Sequence, residues 1–473
     1  MVVVEGAAGT GAQAALRLPV ELGELLPAWS VLPFAGMLLS IALLPLLAPA
    51  FWHRWFPAVT AAWMGLTAIP FVVAFGARAA HERAHVAVAD YLPFIVLLAT
   101  LFTIGGGIHV RGSLRATPWS NAALLTTGAA LASWVGTTGA AIVMIRPLLR
   151  ANRARRHKAH TVVFFIFLVA NIGGALTPLG DPPLFLGFLH GVPFFWTFGL
   201  WKEVLLVAGL VLGIYLLYDL HYWRREAAHV REAPPGPHEP IRIEGWANVL
   251  LLGGVLAAVI VSGTCRLGEL RILGVPQRLE NLLRDGVLLL LLAISWRTTP
   301  AHVRAANEYS WAPIREVAIL FAGIFVTMIP ALAMLRAGDR GALALVIRAV
   351  RAPAHFFWAS GLLSSFLDNA PTYLTFFSTA LGRLCPGAPE AAAVPRLLAE
   401  HPAYLRAIAT GSVFMGANTY IGNAPNFMVK AIAEEAGVPM PSFLGYMLRY
   451  SVPVLVPVFG IATWVFFAGP TAP

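Results

Sequence analysis

Apolar runs long enough to cross a bilayer recur from one end of the chain to the other, separated by short polar or basic stretches. A membrane-spanning helix needs about 20 consecutive apolar residues. The pattern predicts spans at 28–49, 57–77 and 91–110. An apolar piece, 119–149, follows and is split by the polar and glycine-rich run Trp134–Gly139. After it come an interrupted span, 160–190, and a span at 197–222. The polar stretch Tyr222–Gly245, with Pro234-Pro-Gly-Pro237 in its middle, divides the chain. The series then repeats: 247–264, 283–296, 316–335, a split piece 353–382, an interrupted span 403–435 and a span at 443–468.

Each arm of a split piece is too short to cross the hydrocarbon core comfortably. Arg111 and Arg115 flank 119–149 on one side, and Arg146, Arg150, Arg153, Arg155, Arg156 and Lys158 lie on the other. Basic flanks favour the cytoplasm, so the piece is expected to dip in and return as a re-entrant hairpin. Irregular backbone at that depth needs protein or a watery cavity around it. With one hairpin per half, each half has an odd number of spans, and the halves run in opposite directions. The expected fold is an all-α polytopic membrane protein of two inverted repeats, each with about five transmembrane helices and one re-entrant hairpin, with broken helices. The expected divisions are an N-terminal segment 1–26, a first repeat 27–222, a cytoplasmic linker 223–245 and a second repeat 246–468. Both termini then lie outside, an orientation that rests on the basic cluster from Arg146 to Lys158.

The repeat is also visible residue by residue. Thr177-Pro-Leu-Gly-Asp-Pro-Pro183 returns as Thr419-Tyr-Ile-Gly-Asn-Ala-Pro425, sharing Thr-x-x-Gly-(Asp/Asn)-x-Pro. Ser133-Trp-Val-Gly-Thr-Thr-Gly139 aligns with Ser365-Phe-Leu-Asp-Asn-Ala-Pro371. Gly191-Val-Pro193 matches Gly437-Val-Pro439, and Val211-Leu-Gly-Ile214 matches Val458-Phe-Gly-Ile461. The order is kept, and half a chain length is not a solenoid period. Paired Gly/Pro interruptions at corresponding places in two halves point to a transporter's binding site.

Composition agrees. The 473 residues are 58% hydrophobic and 12% charged, against about 45–50% and about 25% for globular chains. The net charge of +10 is spread between apolar segments as Arg, with Lys only at Lys158, Lys202 and Lys430. This excludes a basic nucleic-acid-binding face. Cys265 and Cys385 form no metal or disulfide framework. Glu5, Arg17, Glu21 and Glu24 precede the first apolar run without a signal-peptide pattern, so the first span is expected to insert uncleaved.

Asp368 and Asn369 are expected at the tip of the second hairpin. A carboxylate at membrane depth costs about 2.5–3.5 kcal/mol, so it is expected to face a cavity or a partner. There it could bind Na⁺ or H⁺, or it could simply cap the returning arm. Asp181 lies in the first interrupted span, after Thr177 and Gly180. Gly180 lets the chain leave helical geometry, while Pro182 and Pro183 restart it. Freed carbonyls with Thr and Asp oxygens would form a hard-cation site. The counterpart loop offers Thr419, Gly422, Asn423 and Asn426, and the first hairpin tip offers Thr137 and Thr138. Asn171 and Asn418 are expected to pack internally. His81-Glu-Arg-Ala-His85 matches H-E-x-x-H, which on a helix can hold zinc with Glu82 as general base. A membrane zinc metalloprotease is therefore a remote alternative. The motif falls in a polar connection, where a solvated helix accounts for it, and it leaves the repeat unexplained.

Leu367-Asp-Asn-Ala-Pro371, Asn171-Ile-Gly-Gly-Ala-Leu-Thr-Pro-Leu-Gly180 and Gly416-Ala-Asn-Thr-Tyr-Ile-Gly-Asn-Ala-Pro425 resemble the signature segments of the ion transporter superfamily. Within it, the chain is most similar to D-type sodium/proton antiporters, arsenite permeases and citrate-transporter families. The resemblance implies a scaffold part and a mobile part, a homodimer, elevator-like movement, and sites at Trp134–Gly139, Asp368–Pro371, Thr177–Pro183 and Thr419–Asn426. The Ser-Asn-Thr tips of the dicarboxylate branch are absent. The expectation is a secondary active transporter of the inner membrane, exchanging Na⁺ for H⁺, with no other cofactor. The alternative is Na⁺- or H⁺-coupled transport of an organic or inorganic anion such as citrate or arsenite. A channel is disfavoured because an inverted repeat suits alternating access.

Overall fold

The computed structural model describes residues 22–112, 116–227, 240, 242–272 and 275–468, without the side chains of 77–80. Residues 1–21 of the expected N-terminal segment, Arg115 and the Pro234–Pro237 run lie outside the described residues.

The fold is helical, as the apolar pattern requires. The first half contains α1 (Leu32–Leu47), α2 (Pro49–Phe75), α3 (Ala77–His85) and α4 (Leu92–Gly105). A π-helical turn (Val86–Tyr91) joins α3 to α4, and strand β1 (His109–Arg111) follows. Next come α5 (Pro118–Val135), α6 (Thr137–Ala151), α7 (Ala159–Leu168), α8 (Pro182–Leu189) and α9 (Trp201–Arg224). The second half contains β2 (Arg242–Glu244), α10 (Ala247–Thr264), β3 (Glu269–Ile272), β4 (Val275–Arg278), α11 (Leu279–Thr298) and α12 (Ala301–Ala306). Then follow α13 (Ala312–Thr327), α14 (Ile329–Arg336), α15 (Ala344–Ala349), α16 (Pro353–Phe366), α17 (Asn369–Leu384) and α18 (Glu390–Glu400). The chain closes with α19 (Pro402–Met415), α20 (Ala424–Glu435), α21 (Phe443–Tyr446) and α22 (Val456–Phe466), with a π-helical turn (Met447–Leu455) before the last.

Helices lie at the expected positions, with shifted ends, but among the described residues those of 279–298 and 402–435 are not long and apolar enough to count as crossings. The span expected at 57–77 begins at Pro49 and ends at Phe75, with Pro57 and Pro70 inside the helix. Proline is tolerated in a membrane helix, where neighbours can meet the freed backbone groups. The last span, expected at 443–468, runs through a π-helical turn containing Pro453. Helix α9 reaches Arg224, two residues into the stretch expected as linker. The two short antiparallel ribbons, β1–β2 and β3–β4, had no signal in the apolar pattern. Seven described helices, or helix pairs running on without a break, are long and apolar enough to cross a membrane, and α13 with α14 makes an eighth through a 43° bend.

Two packing groups surround the site. In one, α1, α2 and α13 pack together, and α4, α10 and α11 pack together. Most of these helices keep broad apolar faces outward, α2 above all, while the second half of α4 is buried. The other group is enclosed. The segment Ala159–Leu176 is 89% buried, as a helix that is hydrophobic all round must be. Helices α16 and α19 pack tightly against each other within this group.

Both split pieces double back. Helix α5 meets α6 at Gly136, whose φ of +80° favours glycine. At the far end of α6, Arg150 donates to the Val110 carbonyl, in the strand that precedes α5. Helix α16 meets α17 at Leu367–Asp368, and Arg383 near the end of α17 donates to the Ile347 carbonyl at 3.1 Å, just before α16 begins.

The base of the first pair is fixed by a buried ionic cluster. Nη1 and Nη2 of Arg155 reach the Asp219 carboxylate, at 3.0 and 2.5 Å, and neither side chain is exposed. His160, Tyr215 and Asn121 complete the shell around Asp219. Removing one partner of a buried pair costs about 3–5 kcal/mol. Asp219→Ala is therefore expected to lower thermal stability in detergent by that order. A double change of Arg155 and Asp219 to apolar residues should recover much of the loss.

Candidate functional site

The two interrupted spans share one local construction. In the first, helix α7 ends before Asn171, and a 3-10 turn (Ile172–Leu176) leads into Thr177 in extended conformation. The Thr177 hydroxyl donates to the Ser133 carbonyl and accepts from the amide of Leu179. The Ser133 hydroxyl donates to the Gly173 carbonyl. In the second, the Thr419 hydroxyl donates to the Ser365 carbonyl at 2.5 Å and accepts from Ile421 N–H. The Ser365 hydroxyl reaches the Met415 carbonyl at 3.1 Å. Each bond of one span thus has its counterpart at the matching position of the other. A Cβ on Gly180 would lie 2.1 Å from the Gly174 carbonyl oxygen, and one on Gly422 would lie 2.5 Å from that of Gly416. Only glycine permits these backbones to approach so closely.

This construction presents Asp181 at the start of α8, in extended conformation, with Pro182 and Pro183 opening the helix. Its carboxylate is buried and gathers three donors. Thr137, the first residue of α6, donates its hydroxyl to Oδ1 at 2.9 Å. Asn369, the first residue of α17, donates its amide to Oδ2 at 2.8 Å. Asn423, which precedes α20, donates to Oδ1 at 3.1 Å. Both hairpin tips and the opposite interrupted span therefore converge on one acid. The first tip is also tied through its backbone, Thr137 N–H to the Gly180 carbonyl at 2.8 Å.

Asp368 sits at the second tip, half-buried. Its Oδ1 accepts from Ala370 N–H at 3.0 Å, so it caps α17 as a short acid can at an N-terminus. It also lines the same cavity as Asp181. That cavity has a volume of about 100 Å³. One wall carries Asp181, Asp368, Thr137, Thr138, Gly180 and Asn423, and the other carries Phe94, Leu97, Leu101, Val317 and Phe321 from α4 and α13. Among the described residues, no Lys, Arg or His lines it. Sites for drug-sized ligands run to about 300–1,000 Å³. This space suits several waters or a small, partly hydrated ion.

Thr177, Thr419, Gly422 and Asn426 stand behind the wall. Asn426 donates to the carbonyls of Gly416 and Thr419, both at 2.8 Å, and accepts from Asn171 at 2.7 Å. Asn418 is tied to Ser365 at 2.8 Å. Ser364, which sequence reasoning passed over, donates to Asn369 Oδ1 at 2.5 Å and so orients the amide that serves Asp181. The apolar wall from α4 and α13 was also missed, since nothing in an apolar span marks which face meets a cavity. His81, Glu82 and His85 lie on α3. Among the described residues, no group of three or more His, Cys, Asp or Glu is arranged to hold a metal ion.

Leaving a lone pair of a buried carboxylate unmet costs about 1–3 kcal/mol. Asn369→Ala and Asn423→Ala are each expected to lower thermal stability by that amount. Asp181→Leu, which removes the acceptor, should leave the Asn369 amide and the Thr137 hydroxyl unpaired and cost at least as much, while Asn423 keeps the Ala170 carbonyl. Differential scanning measurements in one detergent check all three.

Comparison with known proteins agrees with this architecture. An uncharacterized transporter of Synechocystis sp. is 27% identical over 310 residues, covering 62% of this chain. The match spans 65% of that curated relative's length. The family profile described as "Putative citrate transport" matches residues 23–467, which takes in every element of the site. The chain belongs to that family.

Proposed function

We propose that the chain is a secondary active transporter that binds a small cation or proton at Asp181 and Asp368, and that exchange of Na⁺ for H⁺ is its activity. The observation that carries this reading is the cavity: two carboxylates, hydroxyl and amide groups, and no basic side chain. Na⁺ and H⁺ competing for the same acids would suffice for exchange, because each displaces the other on either side of the membrane. The apolar opposite wall and the small volume favour an ion over a bulky solute. In this reading 27–222 and 246–468 are inverted repeats around a cytoplasmic stretch 223–245. The helices with outward apolar faces are the scaffold, the enclosed group moves past them, and the working unit is a homodimer in the inner membrane.

The family description supports a second reading, Na⁺- or H⁺-coupled transport of an organic anion such as citrate. The two acids would then hold the coupling ions. The anion would need their positive charge, since the cavity supplies no basic group of its own.

Proteoliposomes with a trapped pH dye separate the two. Under an imposed proton gradient, Na⁺ alone should dissipate the gradient, and Asp181→Asn should reduce the response to that of empty liposomes. Asp368→Asn should weaken it and shift its pH dependence. A gradient unmoved by Na⁺ alone but dissipated when citrate is added with it would establish the anion reading. Both variants behaving as wild type would remove the carboxylate site from either.

A further inference from the structure

A second charged cluster lies at the other end of α8. His190 follows the last residue of that helix, and its side chain is 8% exposed. Its Nδ1 is 2.5 Å from Oε1 of Glu390, the first residue of α18. Its Nε2 faces Oδ1 of Asp90 at 3.7 Å, on the π-helical turn before α4. That nitrogen is buried and has no hydrogen-bond partner. Arg336, at the end of α14, approaches the other Glu390 oxygen at 2.7 Å. His85, at the end of α3, acts on Glu390 from further off. The ring of Phe377 on α17 lies 6.1 Å from the imidazole.

An imidazole between two carboxylates has an acceptor before each nitrogen. Only the imidazolium carries N–H on both. With it, Asp90, Glu390, Arg336 and His190 sum to zero charge. With a neutral ring, one negative charge is left over, and one ring nitrogen points a lone pair at an acid. An unbalanced charge away from water is costly. Burial alone would raise the Glu390 carboxyl, but Arg336 and His190 outweigh it and hold it at about 2. Glu390 therefore keeps its charge beside the imidazole.

The cluster joins unlike parts. Asp90 lies on the turn that leads into α4 and packs against α13, the two helices that supply the apolar wall of the cavity, whereas Arg336 ends α14, which packs against α17. His190 ends the helix that Asp181 begins. An eight-residue helix is about 12 Å long, so α8 is a short strut with the site carboxylate at one end and the imidazole at the other. We propose that His190 is a second proton-binding site: charged, it latches α8 to Asp90 and Glu390, and neutral, it releases them. The latch itself is independent of the solute. Its control over Asp181 rests on the transporter reading.

Hydrogen–deuterium exchange of the whole chain in nanodiscs tests it without any substrate. Peptides covering 86–91 and 186–193 are followed from about pH 5 to about pH 8, the window in which an imidazole changes charge, with rates corrected for intrinsic exchange. The wild type should lose protection of both peptides together as pH rises, by about tenfold, the equivalent of one displaced pH unit. His190→Gln should show no step. His190→Arg, charged throughout, should keep the protected level at both ends, which separates charge from shape if the Gln variant folds poorly. The same step in His190→Gln as in wild type, or no step in wild type, overturns the proposal. Failure of the Na⁺ flux assay leaves this result untouched, so the two readings fail separately.

Discussion

A single buried carboxylate with no cation beside it fixes how the centre of this molecule is assembled. Asp181 cannot be left bare at membrane depth, and its three donors come from α6, α17 and the approach to α20. Each of those donors sits at a helix start, where the backbone has just turned. The turns in turn depend on Gly136 at one tip, on an extended pair at the other, and on two glycines whose backbones nearly touch a carbonyl. Loosening any of these takes a donor away from the acid. The interrupted helices are therefore less a weakness in the spans than the means by which four ends can meet.

The residues of this centre were legible in the sequence because they break the rules of a membrane helix. Asp181, Asp368 and the Gly/Pro pairs are conspicuous in apolar surroundings, and their recurrence at matching positions located both interrupted spans and both tips. What the sequence could not supply was the pairing. Asn369 and Asp181 are 188 residues apart, and no period in the chain connects them. Of the two acids' environments, the cap at Asp368 was among the sequence readings, but the donors around Asp181 were hidden. One collects three side-chain donors, while the other caps its own helix, and only the fold distinguishes them.

The rest of the chain illustrates the limit of hydrophobic patterning. Helix α2 begins eight residues before the expected 57, because the polar residues His53 and Arg54 interrupt the apolar pattern without interrupting the helix. The ribbons β1–β2 and β3–β4 were invisible because three- or four-residue strands carry too little alternation to register. The Arg155–Asp219 cluster was read only as a charge bias, since an arginine that will pair inside protein looks the same in sequence as one that will face water. Residue types were most informative for the enclosed group, where most positions are apolar or matched, and least at its margins.

The ionic contacts of the first hairpin are graded in a way that bears on how the molecule can deform. In the turn after α6, Arg155 meets Asp219 of α9, and both side chains are wholly out of water. Where α6 touches the loop after α12, Arg146 meets Glu308, whose side chain is 62% exposed, and exposed pairs are worth only about 0–1 kcal/mol. Under load, the hairpin would shear along the Arg146–Glu308 line long before it peeled from α9. It is a tongue cast in one piece with its root, so any opening of the cavity on that side must carry the tongue, the root and Asp181 together.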